Sequence, residues 1–166
     1  MKRLDWFERT FSFGVPKEML PFYLERLEGT IARIEHKVKG ISNDVLSKRS
    51  NDKWSVKQNI GHLAEIDHVG NKRIDEMLAG IPVLSPAVFE PKDYNPWPIE
   101  KVVEFFKDAR LSNLKKYRTL SDMHLSKSSL HPRLKVPMTP VDLALFDAEH
   151  DDHHLLKISD ILAEHS

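Results

Sequence analysis

Hydrophobic residues recur every three or four positions in four long stretches of the chain. The second stretch runs from Val56 to Met77, the third from Ile99 to Leu120, and the fourth from Leu143 to Ile161. In the first stretch the hydrophobic positions are Leu20, Leu24, Leu27, Ile31, Ile34, Val38 and Ile41. This spacing places such side chains on one face of a helix. The pattern therefore predicts four amphipathic α-helices.

Capping residues and prolines mark where these helices begin. The first helix begins at either Pro16 or Pro21, because proline is accepted in the first turn of a helix. Ser55 is followed three residues later by glutamine, which is the capping-box pattern for the start of the second helix. The third helix begins near Pro98, and the fourth begins at Thr139, which has a proline directly after it.

The connection between the second and third helices is long and rich in proline. Five prolines fall between Ile81 and Pro98, and this composition disfavours regular structure. Fully extended, the connection could span roughly 60 Å, whereas a helix of about 25 residues is roughly 37 Å long. It can therefore run the length of the second helix, which permits helices two and three to be parallel. No alternating pattern is strong enough to assign a strand, so we predict an all-α four-helix bundle in a single domain over residues 1–166.

The composition excludes several kinds of partner and chemistry. Lys plus Arg number 25 and Asp plus Glu number 25, so the chain lacks the net positive charge that binds nucleic acid. No apolar run approaches the length of a membrane span, and the N-terminus lacks a signal-peptide pattern, so we expect a cytoplasmic protein that does not bind membranes. The absence of cysteine excludes disulfides, thiolate metal sites and a cysteine nucleophile.

Three of the nine histidines suggest a metal site. His150 and His154 are four residues apart and continue the hydrophobic face of the fourth helix, so their rings lie one turn apart on the same side. His62 lies at the edge of the hydrophobic face of the second helix, from which it can turn towards a neighbouring helix. Three neutral imidazoles would bind a divalent cation and leave a position open for water or substrate. The alternative is that these are hydrogen-bonded core histidines, and the spacing alone fits both interpretations.

Acidic residues near these histidines are candidates for supporting them. Glu65 follows His62 by one helical turn, and Asp147 and Asp151 flank His150. Their carboxylates could accept hydrogen bonds from the ring N–H groups that do not face a metal. His153 points to a different side of the fourth helix, and we expect it at the surface or beside the ligands.

His131 and Arg133 lie in the polar connection that leads into the fourth helix. Because this helix carries two of the candidate ligands, both side chains could reach the mouth of the site. There they could bind an anionic group of a substrate. The alternative is that they cap or pack the loop.

Three other known patterns fit less well. A ferritin-like di-iron site needs two Glu-x-x-His motifs and two further glutamates, but only Glu65 with His68 has this spacing, and the fourth helix has Asp147 before His150 instead. The HExxH motif of metalloproteases is absent, because an aspartate follows His150. No GxSxG elbow supports a Ser/His/Asp triad.

The histidines belong to a longer pattern. One histidine lies in the second helix, which is capped at a tryptophan, and the fourth helix carries HxxxH with a third histidine adjacent to it. It is carried by WSVKQNIGHLAEID, residues 54–67, and LHPRLKVPMTPVDLALFDAEHDDHHLLKI, residues 130–158. In order and distance these segments resemble the DinB-like superfamily of the YfiT type, which consists of metal-dependent helical bundles. The resemblance covers essentially the whole chain. It implies an up-down-down-up bundle with long crossover connections, and a divalent metal such as zinc or nickel held by His62, His150 and His154.

The resemblance also implies transfer of a low-molecular-weight thiol or hydrolysis. We therefore expect a metal-dependent enzyme acting on a small-molecule substrate, with an external thiol or a water as the nucleophile because the chain has no cysteine. The alternative from another class is a metal-binding stress or interaction module without turnover. An open metal position reached by a cleft would favour the enzyme. The sequence is compatible with a homodimer.

Overall fold

Helices make up most of the computed structural model, which describes residues 3–50, 52–89 and 92–165. The four long helices are α1 (Leu20–Val38), α3 (Val56–Leu78), α4 (Ile99–Arg118) and α6 (Pro140–Ala163). Two short helices, α2 (Asn43–Ser47) and α5 (Asp122–Leu125), lie in the connections, and short 3-10 turns span Trp6–Glu8 and Lys17–Met19. A two-stranded antiparallel hairpin pairs β1 (Ser129–Leu130) with β2 (Pro137–Met138).

Helices α3 and α4 are consecutive long helices, yet they run parallel. Arg110 of α4 contacts Asp67 of α3, and further along both helices Lys116 contacts Asp75. The chain therefore returns to the other end of the bundle between α3 and α4, as the proline-rich connection predicts.

The remaining contacts between helices complete the topology. Helix α1 is parallel to α6, because Thr30 contacts Asp151 at one level and Lys37 contacts Ser159 at the next. Helix α6 is antiparallel to α3, since its C-terminal half packs beside the first turns of α3. Each of α1 and α3 packs between α4 and α6. The four directions are up, down, down and up, so the predicted all-α bundle and its topology are confirmed.

The predicted helix starts are confirmed with one refinement. Ser55 caps α3 and Thr139 caps α6, each in a reciprocal capping box with the residue three positions later. Both candidate prolines of the first helix are used: a 3-10 turn follows Pro16, and α1 then begins with Pro21 in its first turn. The helix ends before Gly40, as this glycine indicates in the sequence, and its positive φ turns the chain so that Ile41 is exposed and not on the buried face with the other six positions.

The hairpin adds to the bundle two short strands that the sequence pattern does not assign. Each strand is only two residues long, too short to show an alternating pattern. Leu130 of β1 also exchanges backbone hydrogen bonds with the α3–α4 connection, donating to the Pro82 carbonyl and accepting from the Leu84 N–H. The hairpin and the connection thus form one wall at the side of the bundle.

A layer of buried polar residues separates the hydrophobic core into two halves. One half packs the first turns of α3 and α4 against the C-terminal turns of α1 and α6, and the other packs the opposite ends of the same helices. In the layer between them, Arg110 donates hydrogen bonds to Asp67, Asp151 and the carbonyl of Leu27. One side chain on α4 therefore connects to the three other long helices.

Candidate metal centre

Three imidazole rings converge between α3 and α6. His62 lies in the second turn of α3, and His150 and His154 lie on consecutive turns of α6. Each ring offers one nitrogen, and these three nitrogens all lie within 4.8 Å of one another. The Nε2 atoms of His150 and His154 are 3.2 Å apart. The structure thus brings together the three histidines that spacing and resemblance singled out.

The three rings are largely removed from solvent. His150 is 8% exposed and His154 is 4% exposed, while the His62 side chain retains 11% exposure. Burial lowers the pKa of His62 to about 4 and holds the pKa of His150 and His154 well below the usual value. The rings also repel one another when charged, which adds to the lowering at His150 and His154. All three are therefore neutral at neutral pH, the form that binds a metal ion.

Asn59 fixes the tautomer of His154. The Asn59 side-chain amide donates a hydrogen bond to the carbonyl of Ser55 at 2.8 Å, so its oxygen is the atom that faces Nδ1 of His154 at 2.7 Å. Nδ1 therefore carries the proton of the neutral ring and donates it to Asn59. This leaves the lone pair of His154 Nε2 directed at His150 and the centre of the group.

The donor set suits a divalent metal of borderline softness. Zinc and nickel both accept neutral imidazole nitrogens. Among the residues that the structure describes, no fourth His, Cys, Asp or Glu joins the group. A carboxylate-rich di-iron arrangement is likewise not formed by those residues.

Glu65 lies where the sequence predicted it, beside His62. Its carboxylate is 3.7 Å from Nδ1 of His62, longer than a hydrogen bond. The other carboxylate oxygen accepts a hydrogen bond from the Tyr94 hydroxyl at 2.7 Å. Tyr94 comes from the α3–α4 connection, so this contact also anchors the connection next to the site.

Asp151 and His153 occupy positions outside the group of three rings. Asp151 accepts hydrogen bonds from Arg110 and Thr30 and belongs to the buried polar layer, with no imidazole among its hydrogen-bond donors in the described structure. The His153 ring is partly buried, with its centroid 6.5 Å from that of His150 and 5.7 Å from that of Trp6. The sequence left His153 either at the surface or beside the ligands, and its role stays a prediction.

A cavity of about 450 Å³ opens beside the histidine group, and His62 and His150 are among its lining residues. Aromatic rings supply much of its wall, and these are Trp6, Phe7, Phe89 and Phe146. Its polar lining consists of Arg73, His131, Arg133 and Asp147. A small molecule in this cavity would contact both the histidine centre and charged groups.

The segment before α1 closes part of this cavity. The Trp6 ring packs against His150 and Phe146 with centroid distances of 4.9 and 5.0 Å. Arg9 forms an ion pair with Glu149, which ties the segment to α6. No hydrophobic period runs through these residues, so sequence reasoning gave no role to Trp6.

The two residues of the hairpin that were candidate anion ligands both line the cavity. His131 is buried, and burial lowers its pKa to about 4. Arg133 is exposed at the mouth, with its guanidinium 5.0 Å from the centre of the Phe7 ring. Asp147 is also buried in the cavity wall, where one carboxylate oxygen has no hydrogen-bond partner in the described structure, and burial raises its pKa to about 8.

Sequence reasoning missed two polar residues on α3, Asn59 and Arg73. Asn59 precedes His62 by three residues, and Arg73 follows it by eleven, so both lie on its side of the helix. Ile66 and Val69 fall between them at helical spacing and also line the cavity. A search of this helix face for polar residues would have identified both side chains.

Comparisons with known proteins find solved structures that share this fold. YfiT from Bacillus subtilis, a probable metal-dependent hydrolase with an unusual four-helix bundle topology, superposes with a TM-score of 0.78 at 21% identity, over 94% of this chain and 93% of that chain. The mycothiol-dependent maleylpyruvate isomerase superposes with a TM-score of 0.68 at 11% identity, over 89% of this chain and 63% of that chain. A search of the curated proteins gave no match.

The described helices and the family model give two further findings. No described helix is both long enough and apolar enough to cross a membrane.

Residues 26–158, which include all three convergent histidines, match the model of the DinB superfamily. The chain therefore belongs to the DinB superfamily.

Proposed function

We propose that this protein is a metal-dependent enzyme that transfers a small thiol to an electrophile, with His62, His150 and His154 as the metal ligands. One observation carries the proposal: three neutral, buried imidazoles converge, and two of them, His62 and His150, line a cavity of about 450 Å³. A catalytic metal needs an open coordination position that a substrate can reach. A closed structural site would have a fourth protein ligand, and the described residues provide none.

The residues around the three histidines would orient the ligands and bind the substrate. A divalent cation held there supplies a Lewis acid, which lets a thiol or a water act as nucleophile near neutral pH. Asn59 holds His154 in the tautomer whose Nε2 lone pair faces the centre. Trp6 packs over His150 and restricts access of water from that side. The aromatic wall and the arginines of the cavity then bind and orient the electrophile.

Thiol transfer and hydrolysis are both compatible with this centre. The superposed isomerase is mycothiol-dependent, and YfiT is a probable hydrolase. Because the chain has no cysteine, a thiol has to come from outside the protein. A metal-binding module without turnover would not require the cavity beside the histidines, so we favour the enzyme.

The metal is tested by elemental analysis of the purified protein and of alanine variants at the three histidines. We expect close to one zinc or nickel ion per chain in the wild type and loss of most of it in each variant. His153→Ala is the matched control, because its ring is adjacent but does not belong to the convergent group. Full metal content in His150→Ala and His154→Ala would contradict the ligand assignment.

The reaction is tested with a panel of cellular thiols and a chromogenic electrophile. We expect turnover that requires both a thiol and the metal, and we expect His62→Ala to lose it. Turnover without any thiol would favour hydrolysis. Equal rates with wild type and His62→Ala would exclude metal-dependent transfer to that electrophile.

A further inference from the structure

Arg73 is a buried cation without a carboxylate partner. It is 6% exposed and lines the cavity on α3. In the described structure its Nη1 lies 3.4 Å from Nε2 of His131, and its Nη2 lies 3.4 Å from the carbonyl oxygen of Ser85. Its Nε has no hydrogen-bond partner there. Arg110 shows the contrast, because it is also buried but forms close hydrogen bonds with two carboxylates. A buried guanidinium without a counter-ion is unfavourable unless a ligand supplies the negative charge.

The contact between Arg73 and His131 is not a hydrogen bond between donor and acceptor. Nδ1 of His131 accepts the backbone N–H groups of Arg133 and Leu134, at 3.2 and 3.1 Å. Nδ1 is therefore unprotonated, and the neutral ring carries its hydrogen on Nε2. The atom that faces Nη1 of Arg73 is thus a second donor, since a guanidinium has no acceptor. Two N–H donors that meet in a cavity wall are positioned to share one anionic oxygen.

The acids near Arg73 do not take this role. Glu76 accepts hydrogen bonds from the backbone N–H and hydroxyl of Ser85, and it acts on the charge of Arg73 only from a distance. Asp147 also acts on the charge of Arg73, but it forms no ion pair with Arg73 within the described residues, and burial favours its neutral form by raising its pKa to about 8. The positive charge of Arg73 is therefore available to a ligand.

We propose that Arg73 and His131 form an oxyanion site that binds the carboxylate of the substrate, so that the substrate class is a small organic monocarboxylate with an apolar body. One guanidinium with one neutral imidazole matches a single negative charge, while Arg133 is exposed over the Phe7 ring and does not belong to this pair. The aromatic rings of Trp6, Phe89 and Phe146 line the same cavity and would contact the apolar part. The inference rests on the proposed function in taking this cavity to be the substrate cavity. Arg73 and His131 are then the residues that select and position the substrate.

Binding of matched acids and amides tests the site directly. The probes are benzoate and 3-phenylpropionate, each compared with its neutral amide by isothermal titration calorimetry. We expect each acid to bind at least about tenfold more tightly than its amide, because charge-assisted hydrogen bonds to the carboxylate are lost in the amide. Absence of this preference for both pairs, including absence of any binding, would overturn the proposal.

Variants assign the preference to the two donors. Arg73→Gln should bind acid and amide within about threefold of each other, and His131→Asn should reduce the preference while its side-chain oxygen still accepts the two loop N–H groups. Arg118→Gln is the matched control, because Arg118 is exposed and pairs with Glu28 on the outside of the bundle. An unchanged preference in Arg73→Gln would contradict the assignment. Circular dichroism and an undiminished melting temperature establish that Arg73→Gln is folded.

The metal-stripped protein separates this proposal from the proposed enzyme. A carboxylate can also bind a metal ion, so all titrations are repeated after removal of the metal. We expect the acid preference to persist without metal. A preference that disappears with the metal would place the carboxylate on the metal and overturn the oxyanion site. Failure to find metal or turnover, with the preference intact, would contradict the proposed enzyme and leave the oxyanion site supported.

Discussion

At the scale of single residues, the histidine centre depends on side chains that orient the rings. Asn59 is buried, and both ends of its amide are used, one on the Ser55 carbonyl and the other on His154. Because an amide cannot exchange these roles without losing both hydrogen bonds, it holds His154 in one tautomer. A residue that never touches a metal can therefore control metal affinity.

We expect Asn59→Ala to weaken metal binding by about 10- to 100-fold, which is typical when the partner of a ligand histidine is removed. Competition with a chelator of known affinity measures this change. Asn71→Ala on the same helix is the control, because Asn71 contacts α4 and not the histidines. Equal metal affinity in Asn59→Ala and wild type would show that the tautomer of His154 is set in another way.

Asp147 gives the protein a defined dependence of stability on pH. Its folded-state pKa of about 8 lies above the ordinary value of 3.8, chiefly because of burial. Between these values the folded state binds more protons than the unfolded state, so this residue's contribution to stability falls as pH rises. Asparagine does not titrate, so the free energy of unfolding of Asp147→Asn minus that of wild type should be larger at pH 9 than at pH 5, by at least about 1 kcal/mol. Urea denaturation of both proteins at the two pH values measures the difference, and an unchanged difference would contradict the raised pKa.

At the scale of secondary-structure elements, hydrophobic spacing predicted the four long helices because each buries a continuous face over five or more turns. The same method missed α2, α5 and the hairpin, since a segment of two to five residues is too short to show a period. It also assigned no role to the segment that contains Trp6, which contacts the site only through the tertiary fold.

The candidate site was predictable where its residues share a helix face, and less so where different elements contribute. His150 and His154 are four residues apart, which places them together on one helix. His131 was predicted near the mouth only from its place in the chain, and its donor role depends on two backbone N–H groups of the hairpin turn. Such contacts between a side chain and a folded loop leave no periodic signal in the sequence.

The α3–α4 connection packs on α3 at a glycine. A Cβ atom at Gly61 would lie 2.3 Å from the ring of Tyr94, which also donates a hydrogen bond to Glu65. The close approach places the connection directly beside His62. Gly61 is thus needed for space and not for an unusual backbone angle, since it lies within the regular helix α3.

We expect Gly61→Ala to destabilise the protein by about 1 to 3 kcal/mol, because the Tyr94 ring has to move. Gly29→Ala is the matched control: Gly29 also lies in a helix, nothing lies within 4 Å of an added Cβ, and alanine should stabilise it by up to about 1 kcal/mol. Urea denaturation of both variants gives the free energies of unfolding. If Gly61→Ala changed the free energy of unfolding no more unfavourably than Gly29→Ala, the close contact with Tyr94 would be contradicted.

At the scale of the whole molecule, Arg110 holds the four long helices in register around the histidine centre. Its guanidinium is fully buried and donates to Asp67 on α3, Asp151 on α6 and the Leu27 carbonyl on α1. Asp151 directly follows the candidate ligand His150 in sequence. The network therefore ties the position of a candidate ligand to the packing of the entire bundle.

Removing the cation from this network should be more costly than removing an exposed one. We expect Arg110→Leu to lower the free energy of unfolding by about 3 to 5 kcal/mol, because two buried carboxylates lose their counter-ion. Arg118→Gln, which breaks the exposed pair with Glu28 on the same helix, should cost at most about 1 kcal/mol. Adding Asp67→Asn and Asp151→Asn to Arg110→Leu should recover part of the loss, since the uncompensated charges are removed. Equilibrium urea denaturation of the four proteins measures these differences, and similar losses for Arg110→Leu and Arg118→Gln would show that the buried network does not hold the bundle together.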